Sequence, residues 1–90
     1  MRYVFDPVKD AANRTKHGVS LALAEFLFAG PYLSINDDRF DYGELRKVAF
    51  GLINGRHFVC VHVDRDGERR VISLRKANRR EVKRYGKRHQ

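Results

Sequence analysis

The sequence predicts an α+β fold: one antiparallel β-meander packed against helices, in the order β-α-α-β-β-β-β-α. Three observations predict it. Residues 46–74 hold three β-type runs separated by Asn54-Gly55 and Arg65-Asp66-Gly67, which read as tight hairpin turns. Residues 7–29 instead carry helical spacing with helix starts and stops. The chain has ninety residues, enough for one modest core, so residues 1–90 read as a single small domain.

Arg2 to Phe5 mix β-formers and predict a short strand. Asp6-Pro7 is a helix start: the carboxylate accepts a bond from a free N–H, and proline at the first position lacks an N–H that would go unused. Val8, Ala11, Ala12 and Thr15 recur on one helical face. Lys16 and His17 suit the last turn, and Gly18 the left-handed stop, so this helix spans about 7–17. Ser20 caps a second helix over roughly 21–29, apolar nearly all round and therefore buried. Gly30-Pro31 ends it. Tyr32 to Ile35 form a strand, and Asn36 to Glu44 a polar, acidic loop carrying Phe40 and Tyr42. The meander strands are Arg46–Ile53, Arg56–Asp64 and Glu68–Leu74. Asn78 and Glu81 then form a capping box for a last helix ending near Tyr85, with Gly86 as its stop. Val82 and Tyr85 are its only sizeable apolar groups, so it is expected to dock weakly.

Composition narrows the class. The chain is 42% hydrophobic and 11% aromatic, ordinary for a globular domain. No apolar run approaches the roughly 20 residues of a membrane span, and Met1 to Pro7 do not resemble a secretory signal. A cytoplasmic protein without membrane contact is expected. The single cysteine, Cys60, precludes an internal disulfide. Residues 65–90 carry eleven basic groups and three acidic ones, while residues 1–64 balance eight against eight. The last third therefore supplies the whole net charge of +8. Such one-sided charge points to a polyanion or an acidic protein partner.

Phe5-Asp6-Pro7-Val8-Lys9, Asn13 and Lys16-His17-Gly18-Val19-Ser20 resemble the N-terminal signature of BrnT toxins. Glu44-Leu45-Arg46, Gly51, Gly55-Arg56 and Arg70-Val71-Ile72-Ser73-Leu74-Arg75-Lys76-Ala77 resemble its C-terminal half, and Glu81 and Tyr85 fit its closing helix. The resemblance runs over residues 3–85. It implies a RelE-like fold and a type II toxin–antitoxin ribonuclease that stops translation. It also implies a toxin–antitoxin hetero-oligomer with a BrnA-like, ribbon-helix-helix, DNA-binding antitoxin. Phe5 stands where tryptophan is frequent, Leu74 where a small residue is usual, and Leu23 where an acidic residue would complete a capping box with Ser20.

RNA is cut without a metal when a base takes the 2′-hydroxyl proton and cations steady the charge that builds on the phosphate. Arginine suits the second task, being permanently charged and fork-shaped. Arg75 is the first candidate stabiliser: alternation puts it on one strand face with Ser73, Val71 and Arg69, where the last strand gives way to a helix. Arg46 is the second. Glu81, Glu44 and His17 are the candidate proton acceptors, and the sequence does not choose among them. Against these roles stand ordinary ones, a surface ion pair for either arginine, a cap for Glu81 and a helix end for His17. Lys16, Arg56, Arg70, Lys76, Arg79 and Arg80 are expected to contact RNA. No cofactor is expected. His57, Cys60 and His62 lie close in sequence, yet strand alternation turns His57 away from the other two, so no metal site is expected. Charge alone supports a second reading, a non-catalytic basic module that binds nucleic acid or an acidic protein.

Overall fold

A computed structural model describes residues 1–39, 41 and 43–87. Its elements are β1 (Arg2–Val4), α1 (Pro7–His17), a 3-10 turn (Leu21–Leu23), α2 (Ala24–Ala29), β2 (Tyr32–Asp37), β3 (Arg46–Ile53), β4 (Arg56–Arg65), β5 (Glu68–Lys76) and α3 (Arg79–Tyr85). The α+β class is as expected. Asp6 caps α1 by accepting a hydrogen bond from the Val8 N–H at 2.8 Å, and Gly18 ends the helix at φ 75°. Asn54 and Asp66 both sit at φ 51°, each followed by a glycine at φ 78°, as two-residue hairpins demand.

The second helix comes in two pieces. Asp10 of α1 accepts hydrogen bonds from Ser20 Oγ at 2.9 Å and the Leu21 N–H at 2.7 Å, while Ser20 Oγ accepts from the Ala22 N–H. These bonds close a tight first turn before the α-helix begins at Ala24. Asp10 thereby supplies, from a neighbouring helix, the acidic group that Leu23 does not. Strand β2 also runs on through Asn36 and Asp37, residues the sequence placed in a loop. Phe40 and Tyr42 of that loop lie outside the described residues.

The sheet has five strands in the order β1-β5-β4-β3-β2. Strands β3 to β5 form the expected three-stranded meander, and β2 extends it by pairing antiparallel with β3. The sheet is mixed rather than purely antiparallel, because β1 pairs parallel with β5, Arg2 to Val4 lying against Glu68 to Arg70. Beyond that short pairing, Asn13 of α1 replaces a strand at the β5 edge. It accepts from the Leu74 N–H at 3.1 Å and donates to the Leu74 carbonyl at 2.8 Å and the Val19 carbonyl at 2.9 Å. Both backbone groups of a fully buried residue are thus satisfied by one side chain.

The core lies between the sheet and the α1–α2 layer. Leu21, Ala24, Leu27 and Phe28 pack against Ala49, Phe58, Cys60, Val71 and Leu74. Gly51 permits the closest approach of α2: a Cβ there would stand 2.9 Å from Leu27 Cγ and 3.2 Å from Tyr32 Cβ. Gly51→Ala is therefore expected to destabilise the fold by about 1–3 kcal/mol through overpacking. Urea denaturation would measure it, and an unchanged midpoint would show that α2 yields freely.

One irregularity re-aims β5. Between the pairs Val61↔Ser73 and His62↔Val71 the register shifts, so Ile72 is a bulge residue without a partner in β4. Ser73 and Arg75 consequently share a face with Val59 and Val61, whereas Val71 and Arg69 turn to the helices. The single face expected for Arg75, Ser73, Val71 and Arg69 is split in two.

Helix α3 sits at one end of the other sheet face. It has no buried residue, in keeping with a weak dock. Tyr85 stacks on Phe50 with ring centres 4.1 Å apart. Gly86 follows in right-handed helical backbone and is buried where a Cβ would meet His57, so close packing rather than a left-handed stop explains it.

Candidate functional site

The sheet face opposite α1 and α2 is a groove of about 590 Å³. Ile35, Val48, Phe50, Val59 and Val61 supply its apolar floor, and Lys16, Arg39, Arg75, Arg80 and Arg84 its cations. The floor follows from strand alternation: residues that do not face the helices must face here. The C-terminal end of α1 brings Lys16 and His17 to the rim.

Arg75 is held at three points. Its Nη1 and Nη2 donate to the two Glu81 carboxylate oxygens, each at 2.7 Å. Nη1 also donates to the Lys76 carbonyl at 3.3 Å. A guanidinium carries five N–H groups. The Nε–H and a second Nη2–H have no partner among the described residues, and this side-on pair has the spacing of two phosphate oxygens. Glu81 is itself fixed by the capping box, accepting from the Asn78 N–H at 2.9 Å while its own N–H donates to Asn78 Oδ1 at 2.8 Å. The hydrogen bond from Arg75 holds the Glu81 carboxyl below its usual range and raises that of Arg75 in turn. Glu81 is a poor proton acceptor in that state and a good anchor.

His17 lines the same groove. Burial first, then the charges of Lys16 and Arg75, lower its pKa. It is accordingly neutral near pH 7 and able to accept a proton.

The other candidates lie elsewhere. Arg46 and Arg70 gather around Glu44, with Arg70 Nη2 at 2.5 Å and Arg46 Nε at 3.6 Å from the carboxylate. This cluster does not line the groove, and its hydrogen bond from Arg70 lowers the Glu44 pKa. Arg56 and Arg79 border a separate cleft between the β3–β4 turn and α3. Lys76 pairs with Phe58 at the end of β5 and is exposed on the helix side. Lys16 and Arg80 do reach the groove. Sequence reasoning missed Arg39 and its partner Asp37, because the pair falls in the stretch read as a loop. Asp37 is 6% exposed, and its carboxylate accepts from Arg39 Nε at 2.8 Å and Nη2 at 3.0 Å.

The family model described as "Ribonuclease toxin, BrnT, of type II toxin-antitoxin system" matches residues 5–81. The chain belongs to the BrnT family. No curated protein matches it. The BrnT match takes in His17, Arg39, Arg75 and Glu81, and stops short of Tyr85. As a toxin of this family the chain is a ribonuclease with RNA as substrate and an antitoxin as partner.

On its helix side, this BrnT domain holds a largely buried polar network. His62 is fully buried, and its Nδ1 lies 2.8 Å from Asp64 Oδ1. Arg69 donates to both Asp64 oxygens at 2.7 and 2.9 Å and lies 4.0 Å over the Phe28 ring. Cys60 shares this side, its thiol pushed up to about 12 by burial, while His57 faces the other way, as alternation requires. Burial holds the His62 pKa below 6.5 despite the opposing bond to Asp64. Asp64 is held down to about 2 from 3.8, chiefly by its bonds from Arg69. The unfolded chain therefore binds protons that the native chain refuses. The His62 share of stability is complete above pH 6.5 and is lost as pH falls below that value toward the lowered native pKa; a second loss follows between 3.8 and 2. Urea midpoints at pH 7.5 and 5.5 are expected to drop for the native chain and to drop less for His62→Gln. An equal drop in both would remove His62 from the acid response.

Proposed function

We propose that the groove binds single-stranded RNA and that His17 and Arg75 cleave it without a metal ion. The observation that carries this reading is the anchored guanidinium of Arg75, with two N–H groups left over beside a neutral histidine. His17 takes the proton of a ribose 2′-hydroxyl. The 2′-oxygen attacks the adjacent phosphorus, and the bond to the 5′-oxygen breaks. Arg75 meets the charge that grows on the non-bridging oxygens. The 5′-oxygen takes a proton from water and His17 releases its own to solvent, giving a 2′,3′-cyclic phosphate and a 5′-hydroxyl. Glu81 orients Arg75 rather than moving protons.

Family membership supports the rest of the reading. The whole chain acts as one toxin domain of RelE-like fold in the cytoplasm, where RNA cleavage inhibits translation. A BrnA-like ribbon-helix-helix antitoxin neutralises it in a hetero-oligomer. Among the described residues, no helix is long and apolar enough to cross a membrane.

Controlled expression in a bacterial host, with growth scored and new RNA 5′ ends mapped, tests the proposal. Growth arrest with discrete 5′-hydroxyl ends is expected, as is cleavage by purified protein in EDTA. His17→Gln is expected to lose the acidic limb of the pH–rate profile, since protonating His17 removes the base. Normal growth and no new ends from a folded protein would leave only a nucleic-acid-binding module. An unchanged pH profile in His17→Gln would move the base elsewhere.

A further inference from the structure

We infer that Arg39 is a second catalytic arginine, which closes with Arg75 on one and the same phosphodiester of the bound RNA strand. This rests on the groove reading above and adds a residue to it.

Among the described residues of the groove, Arg39 and Arg75 are the two guanidiniums held by a carboxylate in paired hydrogen bonds. The anchors come from opposite parts of the fold. Asp37 ends β2 on the floor side of the sheet, opposite Arg46, and its side chain is 2% exposed. Glu81 stands on α3. A bidentate carboxylate fixes the plane of a guanidinium as well as its position, so both forks are pre-set rather than assembled on binding. Lys16, Arg80 and Arg84 have no such anchor among the described residues.

The two cations also feel each other. Arg39 and Arg75 line the same groove, and the charge of Arg39 opposes protonation of Arg75, though it is the smallest of the influences on it. Like charges held together by the fold are relieved by an anion placed between them. A phosphodiester carries one negative charge and two non-bridging oxygens, one for each arginine. Its charge grows as the 2′-oxygen attacks, which is when a second cation contributes most. The Arg39 side chain is 70% exposed and is therefore accessible to a strand lying in the groove.

The test uses the full chain and a short fluorescent RNA with 2′-deoxy-2′-fluoro riboses, which lacks the nucleophile and cannot be cut. Arg39→Gln and Arg75→Gln are each expected to weaken binding about tenfold, the scale of a charge-assisted hydrogen bond. Because they share one phosphate, the double variant is expected to lose less than the product of the two single losses. Arg39→Lys retains charge without the fork and falls between native and Arg39→Gln. Cleavage of ordinary RNA slows in Arg39→Gln beyond the loss in binding. Multiplicative losses would assign the two arginines to separate phosphates and overturn the shared clamp. Native-like binding and cleavage by Arg39→Gln, with Arg75→Gln impaired, would overturn it while leaving the groove reading intact. Absence of RNA binding by the native chain would end both. Arg39 also neutralises Asp37. If that is its whole role, Asp37→Asn combined with Arg39→Gln restores native binding; a clamp stays broken in that double variant. Thermal melts of each variant separate loss of binding from loss of fold.

Discussion

Arg75→Ala is expected to slow RNA cleavage by about 100- to 1000-fold, the usual cost of removing one pre-aimed transition-state donor, with the fold retained. Arg75 is a groove residue whose guanidinium is already committed to Glu81 through one edge, so its orientation is set before RNA arrives. Its loss costs the folded state little. The Glu81 carboxylate keeps its bond to the Asn78 N–H and is part-exposed, so water replaces the missing partner; a partly exposed ion pair is worth about 1 kcal/mol. Arg75→Lys is expected to recover only part of the rate, because an ammonium restores charge without the planar fork. Single-turnover cleavage and a thermal melt decide the matter. A native rate in Arg75→Ala would remove the residue from the chemistry, and a collapsed melting curve would make its role structural.

The largest effect on stability is expected far from the groove floor, at Asn13→Ala. That change leaves the Leu74 N–H, the Leu74 carbonyl and the Val19 carbonyl without their partner at once. A buried group so orphaned costs about 1–3 kcal/mol. A total near 4 kcal/mol is expected, enough to lower the melting temperature by roughly 20 °C in a domain of this size. Asn13→Asp is expected to be nearly as harmful, since it keeps the acceptor for the Leu74 N–H but turns an anion toward two carbonyls. A loss below 1 kcal/mol in Asn13→Ala would show that water enters the β5 edge freely.

Local chemistry explains what could be read from the chain. Asp6-Pro7, Gly18, Asn54-Gly55, Asp66-Gly67 and the Asn78–Glu81 box each act within a few residues, so their elements stand where periodicity and capping put them. Pairings across long stretches left no local mark. Nothing in Arg2–Val4 announces a parallel partner at Glu68–Arg70, and nothing in Asn13 announces Leu74 beyond its place in a family signature. Alternation placed the β4 residues correctly but failed in β5, because the bulge at Ile72 inserts one residue and reverses every side chain before it. At the site, Arg75, Glu81, His17, Lys16 and Arg80 were named from the sequence and meet in one groove. Arg46, Arg70 and Glu44 form a cluster of their own where β3 and β5 begin, whereas Arg75 stands near the end of β5. Asp37 and Arg39 were invisible because a polar, acidic stretch reads as loop until the β3 partner of Asp37 is seen.

The parallel pairing of the first strand with the last has a consequence for how the toxin is made. A chain leaves the ribosome from its N-terminus, yet Arg2–Val4 and Asn13 find their partners only in residues 68–74. The anchored arginine at position 75 and the helix that fixes it come later still. Such long separations between partners also slow folding. The sheet edge and the groove therefore cannot close until residues 68–85 have left the ribosome. That delay gives an antitoxin already present its opportunity to meet the toxin as the toxin folds.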